Sequence, residues 1–270
     1  MENVANFSAW LGPLFATDAP ALPGLDAMRW GLHLLWALVL ACGALGLAGR
    51  RRRGLRWPWA VAALVAAVTV VPTDFSPAHW LGLAFQSPSL TSAVLCGALA
   101  ARWWGLANPE PLARRGRVGP GPAVETEAAA SDAPKAAASA SAQETSGVWL
   151  YMVGAAVLSG WVLGFDAWAG LGLSASVYAY GFSPAAIALV AAVALLPWVV
   201  GARRTGARAL PFEVTVVLAV LLLFVVTRLP NGNLWDALLD PWLWVVLQVR
   251  WWIALGRQGL QRCRPQRTPG

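Results

Sequence analysis

The chain has 270 residues, is 58% hydrophobic and only 12% charged, and has a mean hydropathy of +0.57. A soluble domain carries about 25% charged residues, so half that value spread over long apolar runs excludes an ordinary soluble fold and points to the membrane. The formal charge of +7 does not indicate a nucleic-acid partner, because the arginines flank apolar runs and do not gather on a soluble face.

Residues 1–27 carry Glu2, Asp18 and Asp26 where a signal peptide would be basic. They read as an extracytoplasmic segment, with Phe7–Phe15 a short interfacial helix ended by Pro20 and Pro23. Residues 28–107 hold three predicted spans. The first, Trp30–Ala48, is long enough at about 1.5 Å per residue to cross a hydrocarbon core of about 30 Å. Arg50 to Arg53 follow it and fix that end in the cytoplasm. The second, Trp57–Val71, stops at Pro72, and the third, Trp80–Ala101, is interrupted by Gln86-Ser87-Pro88.

Residues 108–147 contain no aromatic side chain and are rich in Ala, Ser and Pro. Such a segment buries too little apolar surface to offset its ordering entropy, and it reads as a disordered cytoplasmic linker. Residues 148–256 hold spans four to seven: Val148–Trp168, about Tyr178 or Pro184 to Val200, Phe212–Thr227, and about Pro241 to Leu255. Residues 257–270 form a basic tail. The 17 Trp fall mostly at the ends of these runs, as amphipathic indoles do at membrane boundaries.

With Arg50–Arg53 inside, every later loop follows the same rule, and of the 20 Lys and Arg only Arg29 and Arg228 fall outside. The expectation is an all-α, polytopic helix bundle of about seven spans, N-terminus outside and C-terminus in the cytoplasm. It belongs to the cell membrane, the inner membrane of a Gram-negative cell. Spans one to three and five to seven share orientation, and each group has a Pro start, a Trp-bearing turn, a Ser-Pro or Asp-Pro step and an Arg-Trp-Trp end. Pro58 with Pro211 and Pro88 with Pro241 keep one spacing, while the Arg-Trp-Trp ends drift from it. The pattern describes a 3+1+3 parallel repeat, a plan that some transporters use, by architectural analogy alone.

Ser76-Pro77, Ser87-Pro88, Ser183-Pro184 and Asp240-Pro241 read as N-caps followed by Pro at N1, where the missing N–H costs nothing. The polar positions singled out as candidates for function are His33, Gln86, Asp236 and Asp240. His33 is the one ionisable side chain inside span one, near enough to the outer face to reach headgroups. Asp236 and Asp240, four apart, share one face if the segment between them is helical, and could hold a cation or divide acid and base roles. Their plainer reading is a loop acid and an N-cap. Asp26 and Arg29 are placed to pair along the first span.

No nucleotide-binding, hydrolase or zinc-protease pattern occurs, no Cys/His cluster has metal-ligand spacing, and no catalytic, cofactor or metal residue is assigned. The expected partners are the lipid bilayer and other membrane proteins packed on small-residue faces such as Gly43, Gly46, Gly154, Gly160 and Gly164. The favoured function is a non-catalytic accessory or scaffolding subunit of an envelope assembly. The alternatives are an uncoupled carrier of a small solute or lipid, with a cavity holding Gln86, Asp240 and His33, and a membrane enzyme using Asp74, Asp236 and Asp240.

Overall fold

The computed structural model describes residues 22–49, 57–103, 132–169, 176–205 and 209–262. The predicted interfacial helix, the arginines at 50–53, linker residues 108–131 and the end of the basic tail lie outside them. Among the described residues the regular structure is entirely helical: α1 (Leu25–Gly49), α2 (Trp57–Val70), α3 (Pro77–Phe85), α4 (Leu90–Trp103), α5 (Asp132–Ala169), α6 (Val177–Tyr180), α7 (Pro184–Thr205), α8 (Phe212–Thr227), α9 (Leu234–Leu238) and α10 (Pro241–Arg262).

Three of these helices are long and apolar enough to cross a membrane, over Leu25–Ala48, Gly147–Asp166 and Pro184–Arg203. By helix length and composition the chain is that of a membrane protein, helical throughout the regular structure of its described residues. The apolar helices α2, α4 and α8, of 14, 14 and 16 residues, are shorter. At 1.5 Å per residue they reach roughly 21 to 24 Å, less than a full hydrocarbon core. The α10 helix has 22 residues, but Gln248, Arg250 and Arg257 interrupt its apolar surface. Predicted span three is two helices, α3 and α4, separated at residues 86–89. The α5 helix begins inside the stretch read as a linker; its start, Asp132 onward, is Ala-rich, and Ala has the strongest helix propensity.

Packing centres on α8. Val216, Val220, Leu221 and Phe224 are buried against Leu90 and Ala93 of α4, Ala186 of α7, and Leu234 and Ala237 of α9. Through α4 and α9 the N-terminal group α1–α4 meets the C-terminal group α7–α10. The long α1 packs along α2 and also touches α3 and α4. Two features bind α5 to α10. Trp244 Nε1 donates to Val157 O at 3.1 Å, and a Cβ on Gly160 would fall 2.3 Å from the same indole. Gly154 similarly seats Trp251. These two small residues, read as faces for other proteins, are used within the chain.

Prolines set the helix starts as the sequence implies, with one shift. Ser76 Oγ accepts from Ala78 N and caps α3, and Ser183 Oγ accepts from Ala186 N at the start of α7. Ser87 caps nothing; its hydroxyl donates to Pro88 O. The α4 helix starts two residues later, where Ser89 Oγ accepts from Ser92 N at 3.1 Å. Pro197 lies inside α7 and leaves Val193 O without its usual donor, and Tyr151 Oη of α5 reaches that carbonyl at 3.4 Å.

Candidate functional site: a cleft between two helix breaks

The break between α3 and α4 faces the break between α9 and α10, and Asp240 joins them. Its Oδ1 accepts from Leu243 N at 2.7 Å, capping α10 in the expected way. Its Oδ2 accepts from Ser89 N at 3.0 Å, Ser89 Oγ at 2.8 Å and Ser92 Oγ at 2.6 Å, all at the start of α4. One carboxylate thus satisfies donors of two helices from opposite halves of the chain. Each helix start carries about half a positive charge, so the pair compensates the anion where water is scarce. Only 8% of Asp240 is exposed.

Gln86, at the other break, has φ 63° and ψ −158°. This region is nearly confined to glycine, and holding another residue there costs on the order of 1–3 kcal/mol. Two bonds pin it: Gln86 N donates to Gly82 O, and Gln86 O accepts from Trp36 Nε1 of α1, both at 2.9 Å.

Two adjoining cavities open between these breaks and share Phe85, Ser87 and Asp240. The larger, of about 570 Å³, is lined on its polar side by Arg29, Gln86, Asn231 and Asp236. The smaller, of about 260 Å³, has an apolar wall that includes Trp36, Leu40, Leu81 and Trp242. Phe85 and Trp242 meet edge to face across it, with ring centroids 5.3 Å apart. The larger volume falls within the range of small-molecule sites, and the smaller lies just below it.

Asp236 lies in α9, whose N-cap is Asn233; Asn233 Oδ1 accepts from Trp235 N at 2.9 Å. Leu239 is extended and ends α9 before Asp240, so the two acids do not share a helical face. They nevertheless line the same cavity. Asp236 Oδ2 accepts from Tyr178 Oη at 2.5 Å and from Asn231 Nδ2. Burial pushes the Tyr178 phenol above its ordinary range, and the bond to the Asp236 carboxylate pushes it the same way. Three further bonds tie α6 to this turn. Asn233 Nδ2 donates to Tyr178 O, Trp235 Nε1 to Val177 O, and Leu234 N to Gly181 O. Gly181 is obligatory here, since a Cβ would fall 2.0 Å from Asn233 Oδ1.

His33 does not line the cleft and does not face headgroups. It is 3% exposed, with Nδ1 3.0 Å from Thr69 O. A carbonyl only accepts, so Nδ1 carries the proton. Ser76 Oγ donates to the same carbonyl at 2.8 Å, and the group ties α1 to the end of α2 and the start of α3. Arg29 makes no ion pair with Asp26 among the described residues; its Nη2 donates to Pro72 O at 2.9 Å. Asp74 is absent from the cavity lining, and Asp166 is engaged by Ser176 Oγ and Tyr178 N. Among the described residues no three His, Cys, Asp or Glu gather to hold a metal ion.

Asn231, Ser89 and Ser92 were not singled out by sequence, and Arg29 stood out only as a partner for Asp26. The serines sit on one helix start with Ser-Pro before it, but nothing local shows that their acceptor lies in the other half of the chain. No family model, no characterised protein and no solved structure matches this chain.

Proposed function

We propose that this is a non-catalytic, seven-span membrane protein that accommodates a lipid-like amphiphile between its N- and C-terminal helix groups, as an uncoupled carrier or binding subunit. The observation that carries the reading is the graded lining of the cleft. Both cavities have largely apolar walls; the larger adds the polar side chains of Arg29, Gln86, Asn231 and Asp236 on one side, the smaller continues into Trp36, Leu81 and Trp242, and the two share residues. Asp240 has both oxygens engaged by structural donors, which leaves it poorly suited to coupling or acid-base work and favours binding over catalysis. The positive-inside pattern supports placing Asp236, Arg29 and Tyr178 at the extracytoplasmic end, N-terminus outside. The meeting of the Pro88 and Pro241 breaks on one carboxylate supports the parallel repeat.

The test is purification of the full chain in mild detergent, then lipid extraction and mass spectrometry. The proposal expects about one amphiphile per chain, reduced in Trp242→Ala, which opens the apolar wall. A lipid-free, fully folded protein would overturn it. The second reading, an accessory subunit, draws on Gly43 and Gly164, whose Cβ positions meet no atom within 4 Å. The same purification would then bring down a stoichiometric protein partner.

A further inference from the structure

We infer that the occupant of the cleft is a membrane lipid whose headgroup carries a phosphate and a primary ammonium, the phosphate against Arg29 and the ammonium against Asp236. This rests on the amphiphile reading above. Arg29 is an exposed residue that lines the larger cavity, and only Nη2 is used within the described residues, on Pro72 O. A guanidinium has five N–H donors in a planar fork that fits phosphate oxygens. Asp236 gives Oδ2 to Tyr178 and Asn231, and its Oδ1 accepts no bond among the described residues. The other acid in the lining, Asp240, is committed on both oxygens.

The larger cavity therefore offers one cation and one open carboxylate oxygen, a balanced pair. A purely anionic headgroup would satisfy Arg29 but bring negative charge to Asp236. A purely cationic one would do the reverse. A zwitterion satisfies both groups. The ammonium must carry N–H groups, because Asp236 Oδ1 is an acceptor, and a trimethylated nitrogen donates nothing. A free amino acid or phosphoethanolamine would fit the polar side of the larger cavity but leave the adjoining one, with Leu40, Leu81 and Trp242, unfilled. An acyl chain fills it, and this selects the lipid over the soluble headgroup.

The experiment uses the full chain in mild detergent. It is offered equal amounts of phosphatidylethanolamine, phosphatidylcholine and phosphatidylglycerol with identical acyl chains, and bound lipid is read by native mass spectrometry. The unaltered protein should retain the ethanolamine lipid over the other two on the order of tenfold, the scale of one hydrogen bond to a charged group. Asp236→Asn should abolish the preference over the choline lipid while lipid is still retained. Arg29→Gln should weaken all three. Equal or greater retention of the glycerol lipid by the unaltered protein overturns the inference without touching the amphiphile reading, and so does displacement of bound lipid by equimolar phosphoethanolamine. Retention of no lipid at all overturns the amphiphile reading itself. The panel on unaltered protein decides the matter even if Asp236→Asn loosens the Tyr178 turn.

Discussion

Asp240 and Asp236 line one cavity, four residues apart, yet their surroundings differ in kind. Asp240 is buried and receives four donors from two helix starts, whereas Asp236 is half-buried and receives two side-chain donors on one oxygen. The first carboxylate is spent on architecture, holding α4 against α10. The second lines the larger cavity and keeps Oδ1 without a bond among the described residues. Two acids that look alike in sequence thus differ in how many backbone amides reach them, and the proposed recognition role falls to the one with fewer.

Replacing each acid should break the comparison in opposite ways. Asp240→Ala strands the donors of Ser89, Ser92 and Leu243 in a dry environment, and should cost about 3–5 kcal/mol of stability. Thermal unfolding in mild detergent checks it, and a shift as small as that of a surface substitution would show that the junction is not what joins the helix groups. Gly160→Ala attacks α10 from its other side. The new Cβ evicts Trp244 and its bond to Val157 O, costing about 1–3 kcal/mol, while the polar lining at Asp236 is preserved.

Asp236→Asn should cost only about 1 kcal/mol, the net worth of an ordinary hydrogen bond. Its sharper effect is on Tyr178. The raised phenol means that the stability Tyr178 contributes is complete below about pH 10, the ordinary tyrosine value, and is lost as pH climbs through the folded-state value. Removing the carboxylate takes away one of the two causes, so phenolate absorbance should appear at lower pH than in the unaltered protein. With only three Tyr in the chain the change is measurable. An effect of similar size but opposite sign is expected at Gln86. Gln86→Gly relieves the φ 63° backbone and should stabilise by about 1 kcal/mol while reducing lipid retention. Unchanged retention would show that the Gln side chain takes no part in binding.

The helices were legible because apolar runs, prolines and serine or aspartate caps are local signals. Asp240 was readable as an N-cap for the same reason, and Gln86 stood out because it begins the break in span three. The double role of Asp240 was not legible, since Ser89 and Ser92 lie far away in sequence and nothing in their own segment names an acceptor. Ser87-Pro88 misplaced the cap by two residues because Ser89 competes for the same role. His33 looked interfacial from its distance to the span end, but burial depends on the neighbours that α2 and α3 supply, here Thr69 and Ser76. The spans read from apolar runs were already unequal, and α2 and α8 keep nearly the expected bounds; the break at residues 86–89 divides the third predicted run into α3 and α4, because Ser89 and Pro88 restart the helix there.

The most direct measurement is an electron cryomicroscopy map of the full chain in nanodiscs containing phosphatidylethanolamine. Elongated density is expected in the cleft, with its broad end between Arg29 and Asp236 and its tail along Leu40, Leu81 and Trp242. A cleft closed by side chains, with Phe85 and Trp242 filling the space and no lipid density between the two helix breaks, would contradict the proposal.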